Sequence, residues 1–312
     1  MDKLKIVFMG TPDFAVPCLS KLLDVSEVAA VVTQPDRPRG RGQKTVPSPV
    51  KVFAAAHNLR VFQPLKVKSP EFVKVLQDLA PDLIVVVAFG QILSQAVLDI
   101  PRMGCINVHA SLLPRYRGAA PIHWSIIHGE TQTGVTTMFM DAGLDTGDML
   151  LKRAIDITPE MTTEELHDSL REIGAELLAK TIQELQQGRL VRTPQDDTLS
   201  NYAPLLTKDT GRIRWTASSK EIHDLVRGLN SWPGAYAYLH GEKFKIWKTR
   251  GWSAVCPEGQ AGEILQMTKD GFLVGTGDGG IEILELQAPS KKKMSARDYI
   301  CGHGLPVHER FE

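Results

Sequence analysis

Five consecutive apolar residues, Leu83-Ile84-Val85-Val86-Val87, follow a Ser69-Pro70 helix start and a helical stretch running to about Leu79. A strand with no polar face must be covered on both sides, as in a parallel sheet sandwiched by helices. The pattern recurs upstream. Leu4 to Met9 predicts a strand, Phe14 to Leu23 a helix and Val28 to Thr33 a second strand. Ser48-Pro49 supplies an N-cap hydroxyl and a proline at the first helical position, as Ser69-Pro70 does. Cys105-Ile106-Asn107-Val108 is a further short strand. Strand, helix, strand at this spacing predicts an α/β fold built on a parallel sheet with right-handed crossovers.

The second half reads differently. Thr162-x-x-Glu165 is a capping box and predicts a helix to about Gln187. Gly188 to Pro204 is polar, contains Pro194 and reads as a linker. Lys220 to Leu229 is helical, with Ile222, Leu225, Val226 and Leu229 on one face. Five short strands follow, Ala235–His240, Lys243–Lys248, Glu263–Gln266, Phe272–Val274 and Ile281–Leu286, separated by Gly241, Gly271 and Gly279-Gly280. They predict a small antiparallel β-barrel. The expected organisation is an α/β domain over 1–188, a linker over 189–205 and a barrel domain over 206–312. With 312 residues, 43% hydrophobic and 23% charged, the chain has material for two cores. No apolar run nears the roughly 18 residues of a membrane span. Ile6 to Met9 is expected to be a first strand, not part of a leader. The four cysteines, Cys18, Cys105, Cys256 and Cys301, form no Cys-x-x-Cys pair and are expected as buried thiols in a reducing cytoplasm.

Gly275 to Gly280 matches G-x-G-x-x-G, but a strand follows it where a phosphate site needs a helix N-terminus. A hairpin turn is the better reading. With no G-x-x-x-x-G-K-[ST], neither ATP nor NAD is expected.

The informative stretch is Gly104 to Gly118. In a strand, Asn107 and His109 face the same way, at the carboxyl end where open α/β sheets bind ligands. An amide donor beside a titratable imidazole suits stabilising and protonating an oxyanion. Taken alone, a histidine satisfied by backbone as it leaves the strand is the commoner reading. Asp141-Ala-Gly-Leu-Asp145-Thr-Gly-Asp148 supplies three carboxylates between strands Val135–Met140 and Met149–Ile155. A turn and a divalent cation site are the competing readings, but calcium-loop spacing is missing, and no metal is expected.

Net charge is zero but uneven. From Gln34 to Lys68, eight Lys/Arg face one Asp (8 − 1 = +7); from Asp141 to Gln187, four Lys/Arg face eleven Asp/Glu (4 − 11 = −7). The basic region is a hint of a polyanionic partner. Gln34 to Lys44 has proline as its only apolar side chain, so it reads as a solvated loop or one ordered by a phosphate backbone. Its place after the second strand favours the latter.

Together, Val7-Phe8-Met9-Gly10-Thr11-Pro12-Asp13-Phe14, Thr33 to Pro38, Ala88-Phe89-Gly90-Gln91-Ile92-Leu93, Asn107-x-His109-x-Ser-Leu-Leu-Pro and Asp141 to Asp148 resemble the methionyl-tRNA formyltransferase family along essentially the whole chain. The Asn-x-His and Asp-rich elements mark formyltetrahydrofolate-using enzymes generally. The basic loop and barrel domain are similar to the tRNA-directed members. Tyr116 departs from the pattern, where Trp is more usual.

The resemblance implies a Rossmann-like catalytic domain over 1–188 and an OB-like, tRNA-binding domain over 206–312. It implies formyl transfer from 10-formyltetrahydrofolate, a co-substrate, to the α-amino group of methionyl initiator tRNA; a cytoplasmic monomer without metal, nucleotide cofactor or membrane partner is expected. Asn107, His109 and Asp145 are the expected catalytic residues. Phe89, Gly90, Ile92, Leu93, Ser111, Leu112, Leu113 and Pro114 are expected around the pterin. Arg37, Arg39, Arg41, Lys44 and Lys208 are expected on tRNA, near the acceptor end. Arg212, Arg214 and Lys291-Lys292-Lys293 rank behind them. A hydrolase of formyltetrahydrofolate, or a transferase to a sugar-nucleotide or ribonucleotide amine, would use the same three catalytic residues. A non-catalytic RNA-binding barrel protein would leave them without a purpose.

Overall fold

A computed structural model describes residues 3–39, 44–252, 257 and 259–312. The chain folds into two compact units. The first holds 1–118, 133–155 and 167–203; the second holds 119–132, 156–166 and 204–312. The polar stretch 189–203, expected as linker, thus belongs to the first unit.

In the first unit seven strands lie in the order Met149–Asp156, Gln132–Phe139, Cys105–His109, Leu83–Val87, Lys5–Gly10, Glu27–Val32 and Val61–Phe62. The last five run parallel, with Met9 opposite Val86 and Val86 opposite Asn107. The sheet is not parallel throughout: Gln132–Phe139 lies antiparallel to Cys105–His109. All five residues of Leu83–Val87 are buried, and each such side chain contributes about 1.5–3 kcal/mol by leaving water. On one face Val7, Met9, Ile84 and Val86 pack with Phe72, Leu76 and Leu79, the apolar stripe of helix Pro70–Leu79. Ser69 and Ser48 cap their helices through backbone N–H groups of Phe72 and Lys51. From Lys5–Gly10 the chain first builds one side of the sheet, then crosses to Leu83–Val87 on the other. The strand ends at Gly10 and Val87 therefore flank the switch point, where such sheets form a crevice.

Two local expectations change. The basic loop is not irregular along its length: Arg37–Arg39 and Lys44–Val46 pair as an antiparallel ribbon. Alternating proline and arginine suit extended backbone, and a two-stranded ribbon satisfies it without any core. Of the thiols, Cys18 and Cys105 are buried but Cys301 is exposed, on a short helix with only Ala296 buried. Cys256 lies outside the described residues.

In the second unit the strands follow the order Ala235–Leu239, Glu242–Gly251, Gly280–Gln287, Phe272–Gly275, Ile264–Met267, with Met294–Ser295 beside Gly280–Gln287. Gly275 pairs with Gly280 across a hairpin, so the glycine-rich hexapeptide is a turn. The C-terminal residues bridge the two edges. Glu312 exchanges hydrogen bonds with Tyr238 on one edge (3.0 and 2.8 Å), while Phe311 N–H donates to Gly262 (2.9 Å) and Ile264 N–H to Glu309 (2.8 Å) on the other. Helix Ser219–Gly228, opened by a Ser218/Glu221 capping box, packs Ile222 and Val226 into the same core as Phe244, Phe272 and Phe311. Among the described residues no helix is long and apolar enough to cross a membrane.

Candidate active site

Strand Cys105–His109 pairs Asn107 with Met138 and His109 with Thr136, so the two-residue period sets both polar side chains on one face. The loop between Gln132–Phe139 and Met149–Asp156 brings Asp145 to them. Asn107 Nδ2 donates to Asp145 Oδ1 at 3.4 Å. His109 Nδ1 lies 3.7 Å from Asp145 Oδ2, too long for a direct hydrogen bond but within reach of one shared proton acceptor or donor. The backbone N–H of Gly118 donates to Oδ2 at 2.8 Å. The His109 and Asp145 side chains are only 6% and 15% exposed, which strengthens any charge interaction between them.

His109 Nε2 lies 2.8 Å from the carbonyl oxygen of Tyr116. A carbonyl only accepts, so Nε2 carries a hydrogen and Nδ1 is the nitrogen whose proton is free to come and go. Tyr116 and Asp145 both sit in the left-handed region, at φ of 59° and 54°, at a cost of about 1–2 kcal/mol each. Their surroundings hold them there. Tyr116 N–H donates to Asn201 Oδ1 at 2.5 Å, and Arg117 N–H donates to the Asn201 carbonyl at 3.1 Å.

The three loop carboxylates do separate things. Asp141 Oδ1 accepts from Gly143 N–H (3.0 Å) and Thr146 Oγ1 (2.7 Å), closing the turn. Asp148 pairs with Arg192 at 2.9 Å, and Asp145 faces Asn107. Gly147 permits the close return of the loop: a Cβ there would stand 1.9 Å from the Phe139 carbonyl oxygen. Among the described residues no group of three His, Cys, Asp or Glu side chains is placed to hold a metal.

The residues expected around a pterin divide by exposure. Phe89, Leu93, Ser111 and Leu113 are buried, Leu112 and Pro114 are half-buried, Gly90 is exposed and Ile92 is 83% exposed. Leu113 packs with Met138 and Met149. Several backbone groups there already have partners. Thr136 Oγ1 donates to Ser111 O and accepts from Leu113 N–H, and Lys152 Nζ donates to Leu113 O. The Phe89 carbonyl accepts from Thr11 Oγ1 (2.9 Å) and Gln34 Nε2 (3.3 Å). Of the apolar side chains in this set, those of Leu112, Pro114 and Ile92 keep accessible surface. The hydrogen bonds to Phe89 also tie the base of the basic ribbon to the switch-point crevice.

Arg37 is exposed and donates to Gln34 Oε1 at 3.1 Å. Only the backbone of Arg39 and Lys44 is described, and Arg41 lies outside the described residues. Asp36 is engaged by Lys51 (2.6 Å) and Gln63 (2.7 Å), and those hydrogen bonds hold its carboxyl below the usual range. Lys208 is exposed and belongs to the second unit, whereas the ribbon belongs to the first.

Sequence reasoning missed Tyr116, Asn201, Gln195 and Thr136 as parts of this site. Gln195 and Asn201 sit in a stretch whose polarity and proline read as linker, and nothing in a hydropathy pattern marks a side chain that binds backbone.

A family model described as formyl transferase matches residues 4–182, and one described as formyl transferase, C-terminal domain, matches 205–304. The chain is 55% identical over 303 residues to the methionyl-tRNA formyltransferase of Geobacter metallireducens, covering 97% of this chain and 96% of that protein. It is 52% identical over 314 residues to that of Ruminiclostridium cellulolyticum, covering 99% of each. Among solved structures, the sugar 3N-formyl transferase WlaRD shares the fold at 20% identity and a TM-score of 0.68, over 94% of this chain and all of that one. HypX from Aquifex aeolicus, solved with tetrahydrofolic acid, shares it at 17% identity and a TM-score of 0.62, over 96% of this chain and 47% of that one.

Proposed function

The chain belongs to the formyl transferase family, and from that premise we infer that it moves a formyl group from 10-formyltetrahydrofolate to the α-amino group of methionyl-tRNA. The observation that carries this reading is identity above 50%, along nearly the whole chain, to proteins named methionyl-tRNA formyltransferase. The finer assignments are ours. The tRNA is the initiator, read at its acceptor stem, and the enzyme works as a cytoplasmic monomer without a membrane partner. Residues 1–188 carry the reacting groups, and 206–312 help to hold tRNA.

The convergence of Asn107, His109 and Asp145 supports the chemistry. An α-amino group has a pKa of about 7.7–8.0, so a useful fraction is neutral at pH 7 and no strong base is needed. The barrier lies in the negative charge that grows on the formyl oxygen. Asn107 donates its amide N–H to that oxygen, as an oxyanion-hole donor does. His109, protonated on Nδ1, adds positive charge from the same strand face and passes a proton toward the departing nitrogen. Asp145 orients Asn107 through Oδ1 and balances the imidazolium through Oδ2. It also receives the ammonium proton through solvent. Ile92, Leu112 and Pro114 lie against the pterin, beside Phe89, Gly90, Leu93, Ser111 and Leu113. Arg37, Arg39, Arg41 and Lys44 grip phosphates, and Lys208 does so from the second unit.

One assay tests this. The protein is incubated with formyl-labelled 10-formyltetrahydrofolate and initiator tRNA, either charged with methionine or uncharged. Label is expected on the methionyl amine of the charged tRNA and nowhere else. Free labelled formate in both tubes would make the protein a hydrolase. No turnover in either, with transfer to an amino sugar nucleotide, would make it a sugar formyltransferase.

A further inference from the structure

From Val191 to Leu199 every residue is exposed except Gln195. The Gln195 amide has four hydrogen-bonding positions, and all four are used. Its Nε2 donates to the carbonyls of Asp145 and Gly147, each at 2.8 Å. Its Oε1 accepts from Arg117 Nε at 3.0 Å and Nη2 at 2.8 Å. Two carbonyls on one side and a guanidinium on the other permit only one orientation of the amide. Arg117 is itself held: its side chain is 11% exposed and pairs with Asp197 at 2.8 Å. The next residue, Gly118, places its N–H on the Asp145 carboxylate. Gln195 therefore grips the Asp145 loop by its backbone and, through Arg117, the segment that touches the Asp145 side chain.

Asn201, six residues on, does the complementary job. It fixes the N–H of Tyr116, whose carbonyl holds His109 Nε2. Tyr202–Ala203 then pairs in parallel with Arg117–Gly118. All these residues lie in the first unit. A passive tether would need none of this. Asp145 sits in the left-handed region, and a backbone conformation of that kind persists only where its surroundings over-determine it.

We propose that residues 189–203 form a strap that sets the active site, and that Gln195 is the positioning residue through which it holds Asp145 against Asn107 and His109. This rests on the reading of Asp145 as part of the reacting site. The hydrogen bonds of Gln195 Nε2 go to main-chain carbonyls, so its contribution depends on amide donors and not on side-chain bulk. A displacement of the carboxylate by about 1 Å is enough to cost roughly 100-fold in turnover.

The test is a double-mutant cycle on formylation of methionyl-tRNA, with Gln195→Ala, Asp145→Asn and the pair. Gln195→Ala is expected to lower kcat by roughly 10- to 100-fold. KM for tRNA should stay within about two-fold of the parent value, and Tm within about 3 °C. In the Asp145→Asn background the same substitution is expected to change the remaining rate by less than about two-fold, because its route is already cut. Gln195→Glu keeps the acceptor for Arg117 but loses both donors. It should fold even if the alanine variant does not, and should lose the same activity. Near-wild-type kcat in Gln195→Glu, or equal losses in both Asp145 backgrounds, would overturn the strap and leave the function standing. An Asp145→Asn enzyme as fast as the parent would overturn the site itself, and the strap with it.

Discussion

His109 gives its Nε2 hydrogen to the carbonyl of Tyr116 at 2.8 Å, which turns the ring so that Nδ1 is the nitrogen left facing Asp145. A histidine satisfied by backbone and a histidine poised for proton transfer are usually rival descriptions. Here one nitrogen serves each, and in the proposed mechanism the proton transfer falls to Nδ1.

In the proposed mechanism Asn107 supplies the donor for the developing oxyanion. Asn107→Ala is expected to lower kcat by about 100- to 1000-fold, while the unfolding midpoint in urea stays near that of the parent. Steady-state kinetics and a urea titration check both halves. A loss of only a few-fold in a stably folded variant would remove Asn107 from the mechanism.

On the proposed reading, Arg37 and Arg41 act on the RNA and not on the reaction. Arg37→Ala and Arg41→Ala should each lower kcat/KM for methionyl-tRNA and flatten its log–log salt dependence by about one for each phosphate no longer neutralised. KM for the formyl donor should not move. Unaltered salt slopes in both variants would show that the ribbon does not touch the nucleic acid.

Burial pushes the thiols of Cys18 and Cys105 up to about 12 from the ordinary 9.0. Native protein at pH 8 should therefore react with iodoacetamide at exposed Cys301 and spare these two. The same displacement makes stability depend on alkaline pH. Above about pH 9 the unfolded chain releases thiol protons that the folded chain keeps, so the contribution present below pH 9 is lost as pH rises toward 12. Each tenfold difference in proton affinity is worth about 1.4 kcal/mol. Cys105→Ala should show a shallower fall in stability between pH 8 and 10, and an unchanged slope would contradict the assignment.

Phe311 closes the second unit. It is 2% exposed, stacks on Phe272 at 6.1 Å and lies 5.6 Å from Trp215. Its N–H also bonds to Gly262. Phe311→Ala is expected to cost about 3–5 kcal/mol, read from the unfolding of that unit by tryptophan fluorescence. A change below about 1 kcal/mol would mean that the C-terminal segment does not seal the sheet.

Much of the fold is legible in short-range signals. Ser48-Pro49 and Ser69-Pro70 announce their helices because a cap joins near neighbours in the chain. Leu83–Val87 declares a strand covered on both faces. Helix Pro121–Ile127 escapes such reading because it has seven residues and no side-chain cap. Strand Gln132–Phe139 is anticipated as Val135–Met140, but its antiparallel direction escapes because direction within a sheet leaves no mark on local pattern.

For the site, period-two alternation puts Asn107 and His109 on one face without help from structure. The family resemblance names Asp145, but sequence spacing cannot say that its carboxylate reaches Asn107 and the Gly118 N–H. Nor can it turn a polar stretch into a strap. The bonds that do so join Asn201 to Tyr116 and Gln195 to Asp145 across 85 and 50 positions. Sequence alone determined most of the helices and strands, because those choices are settled largely by interactions within a few residues. The third dimension decided which nitrogen of His109 is free and what holds Asp145. Those depend on where distant strand ends and loops meet, and hydropathy records no such meeting.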